Sequence, residues 1–478
     1  MKILALSLAL SVQLNGQTGQ NQQQKVTWTK AQSGLAMANG YNYNRYAPSL
    51  RKTIFHALGP VHTGTVTCIG TSVSWASGDL FAVSWGALPA ATGIVINGVS
   101  KTIVAGTVTS TAMTLTTSCT SGTYTATPGA IYSNHIYLYD SQPNTFSTNG
   151  PGSDDINGNC SLDTPTQPGQ RHPTQQSTID TIRNYYWLGG GVNSQCVGPR
   201  PDTNPHQDLY YMDLNVDPPA WTQVTPAHFP TPSGTNFEDG TLWHDSAIDA
   251  LFYWGSPTAH PGPWIYCLGA SPTPAQTAAG CTVNNDFLEL TATGTSGQNC
   301  STAQGSSNAT KCPSVSHPSG YFDATLGKAV IFGGAQYNGS SYVPKTEVWL
   351  YDAAAKTFTL QVAASSPPAQ VAGPSIMPSA LLPGSRIYYH QYDGVGAPSD
   401  WIFDIASATW TQVTSVCSPT CPAAGTDGAA WSISTAYDAS RNRIVGFSQQ
   451  GAGNVWIGQF SGTPSPLFTG IAGSGVLR

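Results

Sequence analysis

Glu238 and Asp239 are adjacent carboxylates in a chain where only 9% of residues are charged. Two carboxyl groups whose pKa values are pushed apart by different surroundings can act as general acid and base, which makes this pair the first catalytic candidate. Neighbouring residues on a strand point to opposite faces, so the plainer role for the pair is a capped turn or a loop hydrogen bond. Four histidines, His172, His206, His260 and His317, carry metal-ligating nitrogens, but none sits in a His-x-His or His-x-x-x-His pair that would fix two ligands locally. No Gly-x-Ser-x-Gly elbow marks a serine nucleophile. The glycine runs GGGVN and FGG follow apolar strands with no helix behind them to cradle a phosphate. These residues form no local motif, and only the elements that carry them can bring them together.

The composition bounds those elements. Among 478 residues, 50 Gly and 35 Pro favour many short strands and turns over long amphipathic helices. A net charge of -6 with no basic run argues against electrostatic binding to nucleic acid or an anionic membrane. The opening MKILALSLALSV places one Lys before an apolar run too short to span a bilayer, so residues 1–20 read as a secretory signal. No later segment is long and apolar enough to span a membrane. The expected location is secreted or extracellular, with periplasm or cell surface as variants. Ten cysteines agree with an oxidising compartment. In chain order they fall into neighbours: Cys68 with Cys119, Cys160 with Cys196, Cys267 with Cys281, Cys300 with Cys312, and Cys417 with Cys421. Each unstrained bridge would stabilise the fold by on the order of 2–4 kcal/mol. No Cys-x-x-Cys pair has matching His spacing, so no cofactor is expected and a metal ion lacks support.

The pentapeptide WTQVT occurs twice, from Trp221 and from Trp410. Each copy follows an alternating apolar strand and an Asp turn, DLYYMDLNVDPPAW and DWIFDIASATW. An Asp-turn hairpin ending near Gly also recurs: DTIRNYYWLGGG from Asp180, DSAIDALFYWG from Asp245, DATLGKAVIFGG from Asp323 and DASRNRIVGF from Asp438. APSLRKTIFHALG from Ala47 and LLPGSRIYYHQYDG from Leu381 are copies without the Asp. A third strand follows each hairpin: HIYLYD at His135, DLYYMD at Asp208, PWIYCL at Pro263, EVWLYD at Glu347, DWIFD at Asp400 and NVWIGQF at Asn454. Fourth strands carry Phe146, Trp221, Phe287, Phe358 and Trp410. Four strands at a period near 50 residues suit a radial array of small antiparallel sheets, each covered by its neighbours.

VIFGG with EVWLYDAAAKTF, and YYWLGGG with DLYYMDLNVDPPAW, resemble the repeat of the kelch-type β-propellers, the superfamily of the galactose oxidase central domain. The resemblance covers roughly residues 25–460 and implies an all-β propeller of four-stranded antiparallel sheets, six-bladed, with seven blades as the variant. The last copy lacks a fourth strand, and VTWTKAQ at Val26 is its displaced equivalent, so the N-terminal strand is expected to close the ring. The domain reading is residues 25–59 and 132–460 for the propeller, 60–131 for an inserted Thr- and Val-rich β module, and 461–478 for a tail. The copper pair of galactose oxidase has no counterpart, since Ser375 and Ile376 stand at its place and Tyr389-His390 falls on the next strand.

Kelch geometry implies that the loops into each first strand and those between second and third strands share one face. They carry Arg171, His172, Glu238, Asp239, His317 and Trp431 on one set, and Arg200, Asp202, His206, His260, Tyr337 and Tyr392 on the other. Trp431 and Tyr392 could stack on a sugar ring. The resemblance therefore implies a monomeric protein that recognises an extracellular glycan or protein at this face. The alternatives are an extracellular carbohydrate-active enzyme, an oxidase or hydrolase, with Glu238 or Asp239 catalytic, and a structural cell-surface protein. Non-reduced peptide mapping is expected to join Cys160 to Cys196; a bridge from either one to any other cysteine overturns the neighbour pairing.

Overall fold

The computed structural model describes residues 25–33, 37–38, 44–56, 58–60, 64–78, 93–97, 99–104, 107, 111–128, 136–147, 166, 168, 175–191, 208–230, 240–255, 261–301, 311–337, 342–365, 367, 377–391, 398–418, 420–422, 433–448 and 454–461. Among the described residues, five separate sheets have four antiparallel strands each, and four of them belong to the ring. Sheet I contains Arg45–Ala47, Lys52–His56, Ile136–Asp140 and Thr145–Ser147. Sheet II contains Ser177–Asp180, Tyr185–Gly189, Leu209–Asp213 and Ala220–Val224. Sheet III contains Thr241–Asp245, Ala250–Trp254, Trp264–Cys267 and Phe287–Glu289. Sheet IV contains Ser319–Asp323, Lys328–Phe332, Val348–Asp352 and Thr357–Gln361.

The fifth sheet of the ring is different. Sheet V has eight strands in the order Ser379–Leu382, Arg386–Gln391, Ser399–Asp404, Thr409–Ser418, Lys25–Gln32, Val455–Phe460, Arg443–Ser448 and Ile433–Asp438. Lys25–Gln32 pairs antiparallel with Val455–Phe460 on one side. On the other side its first residues, Lys25 to Thr29, run parallel to Thr414 to Ser418. The first strands touch in a closed cycle: Arg45–Ala47, Ser177–Asp180, Thr241–Asp245, Ser319–Asp323, Ser379–Leu382, Ile433–Asp438, and back to Arg45–Ala47. The arrangement is propeller-like, a ring of small antiparallel sheets with almost no helix.

The hairpins explain the repeated Asp. Asp180 Oδ1 accepts the N–H groups of Ile182 and Arg183, Asp245 Oδ1 those of Ala247 and Ile248, and Asp323 Oδ1 those of Thr325 and Leu326. This side-chain capping leaves the fourth turn residue in the left-handed region, as at Asn184 (φ 61°), Asp249 (φ 63°) and Asn442 (φ 51°). Asp140, Asp352 and Asp404 cap the turns between third and fourth strands in the same way. Tight turns therefore dominate one end of the sheets.

Apolar side chains fill the seams between neighbouring sheets. Trp221 packs with Tyr186, Tyr210 and the sheet I residues Ile54 and Leu138, while Trp410 packs with Phe403 and with Phe332 of sheet IV. The repeated WTQVT is thus a fourth strand whose indole covers a seam. Trp28, from WTKAQ, fills the corresponding seam within sheet V beside Tyr388, Ile402 and Trp456. Its Nε1 donates to Asp400 Oδ2 at 2.9 Å. The fully buried Asp400 also accepts from Tyr388, Ser415 and His390, the last at 2.8 Å. Burial pushes this carboxyl up, but the His390, Ser415 and Tyr388 contacts outweigh it and hold it below the usual range.

The insert folds on its own core. Gly64–Gly78, Ala112–Pro128, Gly93–Ile96 and Val99–Thr102 form a separate sheet over Val66, Val73, Ile94, Met113 and Leu115. Cys68–Cys119 lies within it. Cys267–Cys281, Cys300–Cys312 and Cys417–Cys421 are also bridged, as the neighbour pairing expects. Cys160 and Cys196 lie outside the described residues. Deleting residues 17–34 is expected to lower the melting temperature far more than deleting 470–478, because it strips both partners of Lys25–Gln32 and exposes two sheet edges. Equal melting temperatures for the two truncations would count against a closing role for this strand.

Candidate functional site

Of the residues singled out for binding or catalysis, His317 lies among those described, and Tyr337 ends the strand Ala335–Tyr337. Arg171, His172, Arg200, Asp202, His206, Glu238, Asp239, His260, Tyr392 and Trp431 lie outside them. His317 is buried two residues ahead of the first strand of sheet IV, with a left-handed φ of 53°. Its Nδ1 is 2.7 Å from Ser316 Oγ, and its carbonyl accepts from Gln175 Nε2 at 3.0 Å. This histidine is a packed component of the ring axis.

Around it the starts of the first strands form a polar collar. Gln175 Nε2 also donates to Ser319 Oγ, and Ser319 Oγ accepts from Ser379 Oγ. Thr435 Oγ1 donates to the Ser379 carbonyl, and Asn44 Nδ2 to the Ser434 carbonyl. Arg45 donates to the Ser177 carbonyl, and its guanidinium carbon stands 6.0 Å from the centre of the Tyr321 ring. Burial raises the Tyr321 phenol, and Arg45 opposes that rise. Small hydroxyl and amide side chains suit this place because six strand starts converge there and each needs a polar partner. Asn44 Oδ1, Gln175 Oε1 and Thr241 Oγ1 are buried without a hydrogen-bond partner among the described residues.

A second cluster lies at the opposite, tight-turn end, in the seam between sheets II and III. Arg183 Nη1 and Nη2 each lie 2.6 Å from the two oxygens of Asp249, and Nη1 lies 3.0 Å from Asp180 Oδ2. His244 Nε2 stands 3.6 Å from Asp180 Oδ1 and 3.5 Å from Asp249 Oδ1. Burial pushes the Asp249 carboxyl up, but Arg183 and His244 outweigh it and hold it well below the usual carboxylate range. Among the described residues this is the group whose His and carboxylate donors lie close enough together to hold a metal. Sequence reading passed over it: Asp180 reads as a turn opener and His244 as a strand residue. The available signal was the shared D-x-x-R-N of DTIRN and DASRN, which places a second guanidinium, Arg441, between Asp438 and Asp140.

No family model matches the sequence, and no curated protein matches it. Among solved structures, TolB from Acinetobacter baumannii matches over 74% of this chain and 63% of its own, with 11% identity and a TM-score of 0.33. The chain thus spans less than two thirds of that TolB. A protein of unknown function from Bacteroides thetaiotaomicron VPI-5482 matches over 92% of this chain and 99% of its own, with 8% identity and a TM-score of 0.35. Likenesses this low carry no argument about what the chain does.

Asp245, next to His244, supplies a pH dependence. Burial raises its carboxyl from 3.8 to about 6, against the opposing pull of the Ile248 and Ala247 N–H groups. The folded state therefore binds the proton more tightly than the unfolded chain, and stability falls as pH rises from about 4 to about 6. Asp245→Asn keeps an acceptor for the turn and removes the charge. In thermal melts the variant is expected to gain on the wild type at pH 7 and to lose that advantage towards pH 4; a gap of the same size at both values would contradict the assignment.

Proposed function

We propose that this chain is a secreted recognition protein, a six-bladed kelch-like propeller that binds an extracellular glycan or protein through one face. The observation that carries the reading is the asymmetry between the two ends of the sheets. Hairpins at one end are mostly tight Asp-capped turns. At the other end, the connection between the second and third strands of sheet I holds the whole inserted module, and that of sheet IV holds the hairpin Ala335–Tyr337 with Tyr342–Pro344. Elaborated loops on a rigid scaffold are where binding surfaces are built.

The six-blade count is supported by the cycle of first-strand contacts, with sheet V read as two blades fused through Lys25–Gln32. The kelch reading is supported by the glycine pairs after the second strands. Gly333 and Gly334 have φ of 67° and 84°, and a Cβ on Gly334 would stand 2.6 Å from the Ser316 carbonyl oxygen. Gly190 and Gly191, at the equivalent place in sheet II, also have positive φ. The four bridged cysteine pairs fit an oxidising compartment. A monomer needs no further partner to bury its seams.

Trp431→Ala and Tyr392→Ala are each expected to weaken binding about tenfold or more in a screen of glycans and extracellular proteins, as loss of an aromatic anchor does. Chelators are expected to leave this binding unchanged. Binding that ignores both substitutions removes the site assignment. Turnover of an extracellular carbohydrate that depends on Glu238 or Asp239 would favour the enzyme reading instead.

A further inference from the structure

We infer that Asp180, His244 and Asp249 form a binding site for a divalent cation of the zinc class, in the seam between sheets II and III. The three donor atoms lie within 4.8 Å of one another. The imidazole side chain is 1% exposed, and its Nε2 has no hydrogen-bond partner among the described residues. A buried ring nitrogen aimed between two carboxylates normally closes to about 2.7–3.2 Å on one of them. Here it stays 3.6 Å from Asp180 Oδ1 and 3.5 Å from Asp249 Oδ1. Those separations match an edge of about 3.4 Å in a tetrahedron of ligands each about 2.1 Å from zinc. A nitrogen donor and a set of only three protein ligands suit zinc better than calcium or magnesium, which take oxygen cages.

Arg183 fits as the outer support of such a site. Its contacts to Asp180 Oδ2 and Asp249 Oδ2 fix the two carboxylate oxygens that are not offered to the ion. The ion would replace the 2.6 Å bond from Nη1 to Asp249 Oδ1, and at Asp180 Oδ1 it would join the Ile182 and Arg183 N–H groups that this oxygen already accepts. The Asp249 side chain is 29% exposed, so an ion can enter from the turn end and water can complete its shell. The sister arrangement supplies an internal contrast. Arg441 bridges Asp438 and Asp140 in the same D-x-x-R geometry, but the Ser141 hydroxyl donates to Asp438 and, among the described residues, no imidazole joins the pair. That cluster is a closed ion pair, and His244 is what distinguishes the first one.

The test uses the full chain without a polyhistidine tag, stripped with chelator and titrated with zinc by calorimetry. One equivalent is expected to bind, at least tenfold more weakly in Asp249→Asn and in His244→Ala. His228→Ala is expected to bind as the wild type does, since exposed His228 against Asp286 stands for an ordinary surface pair. Cobalt(II) should give the intense visible bands of a four-coordinate ion in the wild type and lose them in Asp249→Asn. This variant alters a partly exposed side chain and decides the matter even where His244→Ala does not fold. Wild-type binding no tighter than that of Asp249→Asn, or a cobalt spectrum like that of the hydrated ion, would overturn the site.

Discussion

Each sheet of the ring is apolar on both faces, so none is covered until it meets a neighbour on each side. Closure of the ring is the constraint on which every seam depends. It is met by Lys25–Gln32, which completes hydrogen bonding for Val455–Phe460 and for the far end of Thr409–Ser418. The Trp28–Asp400 bond gives that strand a fixed depth. A lone buried carboxylate would be costly, but Asp400 is tolerated because four donors surround it, one of them from the closing strand itself. Loss of the indole would therefore leave a buried charge short of a partner as well as a gap in the apolar seam.

Much of this was legible in the sequence because it rests on local chemistry. Asp at a turn start, a left-handed residue four positions on and alternation on either side mark four of the six hairpins, and a Trp or Phe marks each fourth strand. The insert announced itself by a change of composition. The helix Pro274–Ala279 went unread, although Thr273 and Gln276 form a capping box visible in TPAQ. The parallel pairing of Lys25–Thr29 with Thr414–Ser418 had no sequence signal, because it follows from where two sheets happen to abut. The cluster of Asp180, Arg183, His244 and Asp249 was illegible for a similar reason: its members come from two sheets and each has a sufficient local role. His317 read as a loop donor but is a buried part of the axis, and no pattern around it distinguishes the two.

The two ends of the ring differ in chemistry as well as in shape. The turn end gathers compensated charge, with guanidinium groups spanning carboxylates of adjacent sheets. The collar at the other end is built largely from uncharged amides and hydroxyls, with Arg45 its cation.

Lys25 and Ser461, which hydrogen-bond to one another, are separated by 436 residues of chain. This early strand therefore waits long for its partners. Until Thr409–Ser418 and Val455–Phe460 emerge, Lys25–Gln32 is an unclaimed edge with an exposed indole, the kind of segment that invites mispairing. The chain-entropy cost of that long closure grows only logarithmically with length, so the burden falls on time rather than on final stability. A nascent chain of this design gains from a chaperone that shelters its leading strand until the trailing ones arrive.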